Sequence, residues 1–355
     1  MRDKRKILTA VAAALVAICL LVTGIVISGY REGDAKAADQ IKKSAKMAVK
    51  VKAEATGTEE ATTPSIETPV EVQPATLEFT AKKKAIKAGK SYTFKVNLDG
   101  AVWKSSKTAV ATVSSNGKVS AKKVGKTKIT ATVGTQSVSI TIKVKPKKII
   151  GIDAGHQRRA NLSMEPVGPG SSQTKIKVSG GTSGRTTGVP EYVLTLDIAK
   201  KLKAILEDRG YQVVMTRTKH DVDISNKERA LKLNEKCNIA VRLHADGADS
   251  SSAKGASMLY PGTDNPYVAN LSAKSKKLSQ KILDSYLAST GLSKRGQGLY
   301  VRNDLTGTNW STIPVALIEM GFMTNASDDT YMQTKAGQKA MAEGIANGID
   351  AYFGY

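Results

Sequence analysis

The chain has 355 residues, 41% of them hydrophobic, with 54 Lys+Arg against 31 Asp+Glu and a formal net charge of +23. That length exceeds an ordinary single domain and the apolar content is enough for sizeable cores, so two ordered domains with extra segments are expected. The excess of base points to a polyanionic partner: nucleic acid, an acidic membrane surface or an anionic cell envelope.

The N-terminus narrows that choice. M-R-D-K-R-K precedes an uncharged run over residues 7–30, long enough to span a bilayer and longer than the apolar core of a cleavable signal. Arg2, Lys4, Arg5 and Lys6 hold the tip in the cytoplasm and send everything after Tyr30 outside. A long signal peptide cut near Ala35-Lys36-Ala37 is the alternative. Under either reading the body of the protein is exported, attached to the membrane or secreted, and nucleic acid drops out as a partner. Cys19 lies in the apolar run and Cys237 is the sole cysteine after it, so the exported part has no intramolecular disulfide. Bulky Ile18 and the apolar sequence after Cys19 speak against lipidation. Residues 31–74 are charged, Ala/Thr-rich and end in prolines at 64, 69 and 74, which reads as a flexible linker with room for a short helix over 37–51.

From residue 75 the texture becomes alternating. Y-T-F-K-V-N-L, A-V-A-T-V, G-K-V-S-A, K-I-T-A-T-V and S-V-S-I-T-I-K-V read as strands punctuated by Gly89, Gly100, Gly117, Gly125 and Gly134. Short strands at that interval predict a small all-β sandwich. W-K-S-S from Trp103, V-A-T-V from Val110, G-K-V from Gly117 and the later G-K-T-K-I-T-A-T together resemble the bacterial Ig-like domain, group 2, over residues 75–146. The resemblance implies an adhesive or spacer module without catalysis, with Trp103 in its core. The segment carries fifteen lysines and no arginine against Glu78 and Asp99, a net charge of +13. Such a face keeps a β domain soluble and its edges unpaired; it also suits anionic wall polymers.

Residues 147–355 read as α/β, a twisted sheet flanked by helices. Strands are expected at 148–152, 211–216, 238–243, 256–260 and 314–318. Helices are expected at 192–208, from the Ser225/Glu228 capping box onward, around 278–287 before Gly291, and at 335–352. The segment 157–190 shows no helical period and reads as a glycine-rich loop over the sheet edge, either a wall that shapes access or a tolerated insertion.

Three strand ends carry chemistry. I-I-G-I-D-A-G-H delivers His156, N-I-A-V-R-L-H-A-D delivers His244, and V-A-L-I-E-M-G-F delivers Glu319; ligands of open α/β sheets bind beyond the carboxyl ends of strands. Glu191, after Pro190 at a helix start, is a fourth candidate. Two imidazoles and a carboxylate leave one position of a tetrahedral zinc open, the catalytic arrangement, and a further carboxylate can then take a proton from water. Each residue alone has a plainer reading. A histidine after a strand can be structural, Glu191 can simply favour a helix dipole, and Glu319 can be buried with a basic partner. His220, in K-H-D-V-D, reads as surface loop, and Arg242 is assigned no role.

The whole pattern is more specific. I-D-A-G-H, P-E-Y-V-L-T-L, G-Y-Q-V-V-M-T-R, R-L-H-A-D and I-P-V-A-L-I-E-M-G-F-M-T-N, in that order over 148–352, resemble the zinc-dependent N-acetylmuramoyl-L-alanine amidases of family 3. The resemblance implies Zn2+ ligands at His156, Glu191 and His244 and a catalytic glutamate at Glu319. It implies hydrolysis of the amide joining N-acetylmuramic acid to L-alanine, and so peptidoglycan as partner. The 34 residues between His156 and Glu191 depart from compact members of the family and resemble its longer-loop subgroup. An inactive wall-binding scaffold and a zinc peptidase acting within the stem peptide are the alternatives.

Overall fold

The computed structural model describes residues 75–355. The expected anchor or signal, linker and short helix of the first 74 residues lie outside the described residues. Among the described residues, no helix is long and apolar enough to cross a membrane.

The N-terminal part is all β. Strands β1 (Phe79–Ala81), β2 (Ala85–Lys87), β3 (Ser91–Thr93), β4 (Lys95–Val96), β5 (Val102–Ser105), β6 (Ala111–Val113), β7 (Lys118–Ala121), β8 (Gly125–Val133) and β9 (Gln136–Lys145) form sheets ordered β2-β9-β8-β5 and β3-β7-β6, with β1 paired to β4. Alternation decides the faces: Ile129, Ala131, Ile142 and Val144 point inward with Phe94 and Val119, all buried. Trp103 and Phe79 pack against that core from its edge. The expected single strand Y-T-F-K-V-N-L is broken at Phe94. That side chain fills the core while its N–H donates to the Gly117 carbonyl at 2.9 Å, so the chain changes sheet there.

The C-terminal part is a mixed α/β fold with a mostly parallel sheet. Its strands are β10 (Ile149–Ala154), the pair β11 (Asn161–Pro166) and β12 (Thr174–Val178), β13 (Gln212–Met215), β14 (Ile239–Asp246), β15 (Ala256–Tyr260), β16 (Lys294–Val301) and β17 (Val315–Phe322). Its helices are α1 (Glu191–Asp208), α2 (Asn226–Asn234), α3 (Ser272–Thr290), the short α4 (Thr306–Asn309), α5 (Ala326–Gln333) and α6 (Lys335–Phe353). The six-stranded sheet runs β13-β10-β14-β17-β15-β16, and every neighbouring pair is parallel except β15 with β17.

Helix α1 shows why the core sits where it does. Leu194, Ile198, Leu202 and Leu206 recur at helical spacing, lie fully buried against β10 and β14, and contribute about 2 kcal/mol each by burial. Helices α3 and α6 share that face. Leu233 of α2 covers the other face with Cys237, Ala240 and Val315. Ser225 caps α2 in a reciprocal capping box with Glu228, as its sequence predicts.

Several elements differ from expectation. The segment 157–190 holds a β-hairpin, β11 with β12, in which Met164 faces Ile176 and Glu165 faces Lys175. Its alternation is short, and the Pro166–Gly170 cluster that masks it is the turn. Strand β16 and helix α5 escape a pattern reading too: Gly296 and Gly298 interrupt the first, and the second is polar over Ser327–Thr330.

Candidate metal centre

Beyond β10 the chain turns through Ala154-Gly155-His156. A Cβ on Gly155 would lie 2.6 Å from both His244 Nε2 and the Leu243 carbonyl, so only glycine admits the neighbouring imidazole. His156 takes φ 57°, the one left-handed non-glycine among the described residues, at a cost of roughly 1–3 kcal/mol. Two buried arginines hold this conformation. Arg217 Nε donates to the Ala154 carbonyl at 3.0 Å and its Nη2 to that of Gly155 at 3.0 Å. Arg229 Nη1 donates to the Ala154 carbonyl at 2.7 Å and its Nη2 to that of His156 at 2.9 Å.

Asp153 balances this charge from within the strand. Its carboxylate accepts from Arg229 Nη1 at 3.0 Å, Arg242 Nε at 2.8 Å and Thr216 Oγ1 at 2.7 Å. Burial alone would raise its pKa, yet Arg229, Arg242 and Thr216 hold it far below the usual carboxylate range. Arg242 therefore has a structural place that its sequence position does not disclose.

The structure brings His156, Glu191 and His244 together, with one potential ligand atom of each within 4.8 Å of the others. His156 Nε2 lies 3.2 Å from Glu191 Oε2 and 3.1 Å from His244 Nδ1, which lies 3.1 Å from Glu191 Oε1. His156 Nδ1 faces the Ser179 carbonyl at 3.0 Å, and a carbonyl can only accept. Nδ1 therefore carries a proton, which leaves Nε2 as the nitrogen that offers a lone pair inward when the ring is neutral. Glu191 is oriented by the Thr182 and Ala245 N–H groups, each at 3.1 Å. Burial opposes its ionisation, but the two imidazoles hold its pKa below the usual range. Burial lowers the pKa of His244. Burial would also lower that of His156, but Glu191 raises it.

When both rings are neutral and turn lone pairs inward, two imidazoles and a carboxylate this close repel one another unless a cation lies between them. Ligand atoms about 2.0–2.1 Å from a tetrahedral zinc stand about 3.3 Å apart, near the spacing seen here. The donor set fits a divalent ion of the zinc type, and two of its three members, His156 and Glu191, are already oriented by hydrogen bonds.

Glu319 lies within β17, not at its end, and is the register partner of His244. Its Oε2 is buried without a hydrogen-bond partner, which removes the reading of a buried ion pair. Burial, then the charges of Glu191 and Asp246, push its pKa well above the ordinary carboxylate value. Ser257 on β15 stands opposite it in register, also with a buried, unpartnered hydroxyl. His220 is not part of the cluster; it is half-buried rather than a free surface residue, its ring edge-on to Tyr192 at 5.5 Å.

Two clefts, of about 410 and 420 Å³, meet at His156, His244 and Glu319. The hairpin walls the second through Lys175, Ile176 and Val178. The segment after it reaches the ligands through Ser179 and Thr182, so it is not a detached insertion. Asp153, Arg217, Arg229 and Ser179 are the site residues that motif spacing misses. Only Arg217 and Asp153 sat within recognisable motifs.

Comparison with known proteins agrees with this geometry. Residues 68–144 match the bacterial Ig-like domain (group 2) and residues 150–351 match N-acetylmuramoyl-L-alanine amidase. N-acetylmuramoyl-L-alanine amidase Rv3717 of Mycobacterium tuberculosis is 29% identical over 215 residues, 58% of this chain and 86% of that protein. N-acetylmuramoyl-L-alanine amidase LytC of Bacillus subtilis is 31% identical over 170 residues, 47% of this chain but 32% of that protein. The solved amidase Ami1 of Mycobacterium smegmatis superposes with a TM-score of 0.54 at 27% identity, covering 59% of this chain and 98% of that one. With the match extending over more than half of its length, the chain belongs to the N-acetylmuramoyl-L-alanine amidase family.

Proposed function

We propose that the protein hydrolyses the amide between N-acetylmuramic acid and the L-alanine of the peptidoglycan stem, with Zn2+ held by His156, Glu191 and His244. The observation that carries this reading is the convergence of His156, Glu191 and His244 beside Glu319. Bound zinc supplies Lewis acidity toward the scissile carbonyl and toward water. Glu319 takes a proton from the attacking water as oxygen bonds to the carbonyl carbon. It then returns that proton to the alanine nitrogen as the C–N bond breaks. Arg217, Arg229 and the Ser179 carbonyl keep His156 aimed throughout.

The remaining organisation follows as part of the same proposal. Residues 1–30 anchor the protein in the membrane, residues 31–74 form a linker, residues 75–146 form the Ig-like domain, and residues 147–355 act on the wall from the extracytoplasmic side. The Ig-like sheet supports contact with anionic wall polymers. On its outer face Lys126 stands directly opposite Lys143, and Lys87 opposite Lys145. Like charges facing across strands weaken a sheet, and a bound polyanion relieves that repulsion.

The test is digestion of purified wall by the zinc-loaded chain with identification of the new termini. Release of N-terminal alanine supports the amidase. Other new amino termini support a stem peptidase, and zinc binding without cleavage supports an inactive scaffold.

A further inference from the structure

The two clefts that meet at Glu319 differ in charge. The first is bordered by Asp246 and Asp249 with Arg185. The second carries Lys175 and Arg302 around Asp304, above an apolar floor of Val178, Leu259 and Leu317, and shares Glu319 with the first. Lys175 Nζ donates to Asp304 Oδ2 at 2.7 Å, and Arg302 donates through Nε and Nη2 at 2.7 and 2.9 Å. One carboxylate between two cations leaves a net positive charge, and Arg302 keeps Nη1 in reserve. The Arg302 side chain is 45% exposed, so a ligand can reach it.

The substrate is charged on one side only. Its glycan is neutral, because the lactyl carboxyl is tied up in the amide to be cleaved. Its peptide carries free carboxylates, the first on the residue after alanine, within about 7 Å of the cleaved bond for an extended chain. We propose that the stem peptide occupies the hairpin-side cleft and that Arg302, assisted by Lys175, receives the carboxylate of its second residue, leaving the glycan to the Asp249 side. The alanine methyl then faces Val178, Leu259 and Leu317. This assignment rests on the amidase reading above and adds the direction of the substrate.

The test uses the zinc-loaded full chain and two soluble muramoyl peptides that differ only in carrying a carboxylate or a carboxamide at the second residue. Wild type should favour the acid by about tenfold in kcat/KM, the size of one partly exposed charge-assisted hydrogen bond. Arg302→Gln should raise KM for the acid about tenfold, with kcat and the amide substrate unchanged. Arg302→Lys should restore part of the preference, and Asp249→Asn should leave the acid/amide ratio as it is. Equal use of both substrates by wild type, equal loss on both in Arg302→Gln, or a ratio moved by Asp249→Asn overturns the assignment alone. Cleavage of neither substrate by wild type overturns the amidase reading and the assignment with it.

Discussion

At the scale of single residues, the aim of the first ligand depends on charge buried behind it. Asp153 accepts from Arg229 and Arg242 in a dry layer under the His156 turn. Asp153→Asn should destabilise the protein by about 3–5 kcal/mol, because two buried guanidinium groups lose their counter-charge. The sign with pH follows from the lowered pKa of Asp153. Its contribution is complete above the unfolded value, about 3.9, and is lost progressively as the pH falls from there toward the far lower folded value. Urea melts of wild type and variant should therefore converge as pH drops below about 4; a constant gap would contradict the ion-pair account. Glu319→Gln should cut turnover by about 10²–10⁴-fold while keeping zinc, and His156→Ala should lose the metal. Metal analysis beside muropeptide turnover checks both. The three residues that converge were legible because they stand at or near the ends of recognisable elements: His156 follows β10, Glu191 opens α1 and His244 lies near the end of β14. The supporting arginines were not, since they come from three separate segments and nothing in a sequence tells a buried arginine from a solvated one.

At the scale of elements, the 161–178 hairpin belongs to the site rather than decorating it. Its exit strand leads to the Ser179 carbonyl that sets the His156 tautomer and to the Thr182 N–H that holds Glu191. Replacing residues 162–177 with a short glycine-serine turn should leave the sheet folded and weaken zinc binding by about 10–100-fold, the usual effect of losing outer-shell orientation. Competition titration with a chromogenic chelator measures it, and unchanged affinity would return the hairpin to the role of a surface insertion. Helices were the most readable elements, with apolar spacing in α1 and the Ser225/Glu228 box at α2. The hairpin and β16 were not, because strands this short, broken by glycine or proline, carry too few alternations to stand out from a loop.

At the scale of the whole molecule, the sandwich presents its lysines outward while its apolar residues face inward. Reversing the opposed pair, Lys126→Glu with Lys143→Glu, should weaken retention on purified anionic wall polymer and flatten its salt dependence. Turnover of soluble muropeptides should not change; co-sedimentation at several salt concentrations reads the difference. The two described domains also touch at one tight point. Only residues 146–148 separate β9 from β10. The turn after α1 seats Gly210 at φ 85°, where a Cβ would lie 2.6 Å from that of Ala88 and 2.9 Å from the Lys122 carbonyl. Gly210→Val should prise the pair apart, widening the small-angle scattering profile while soluble turnover persists. Within residues 75–355, one close-packed glycine turn therefore bears on how the catalytic domain is carried by the domain before it.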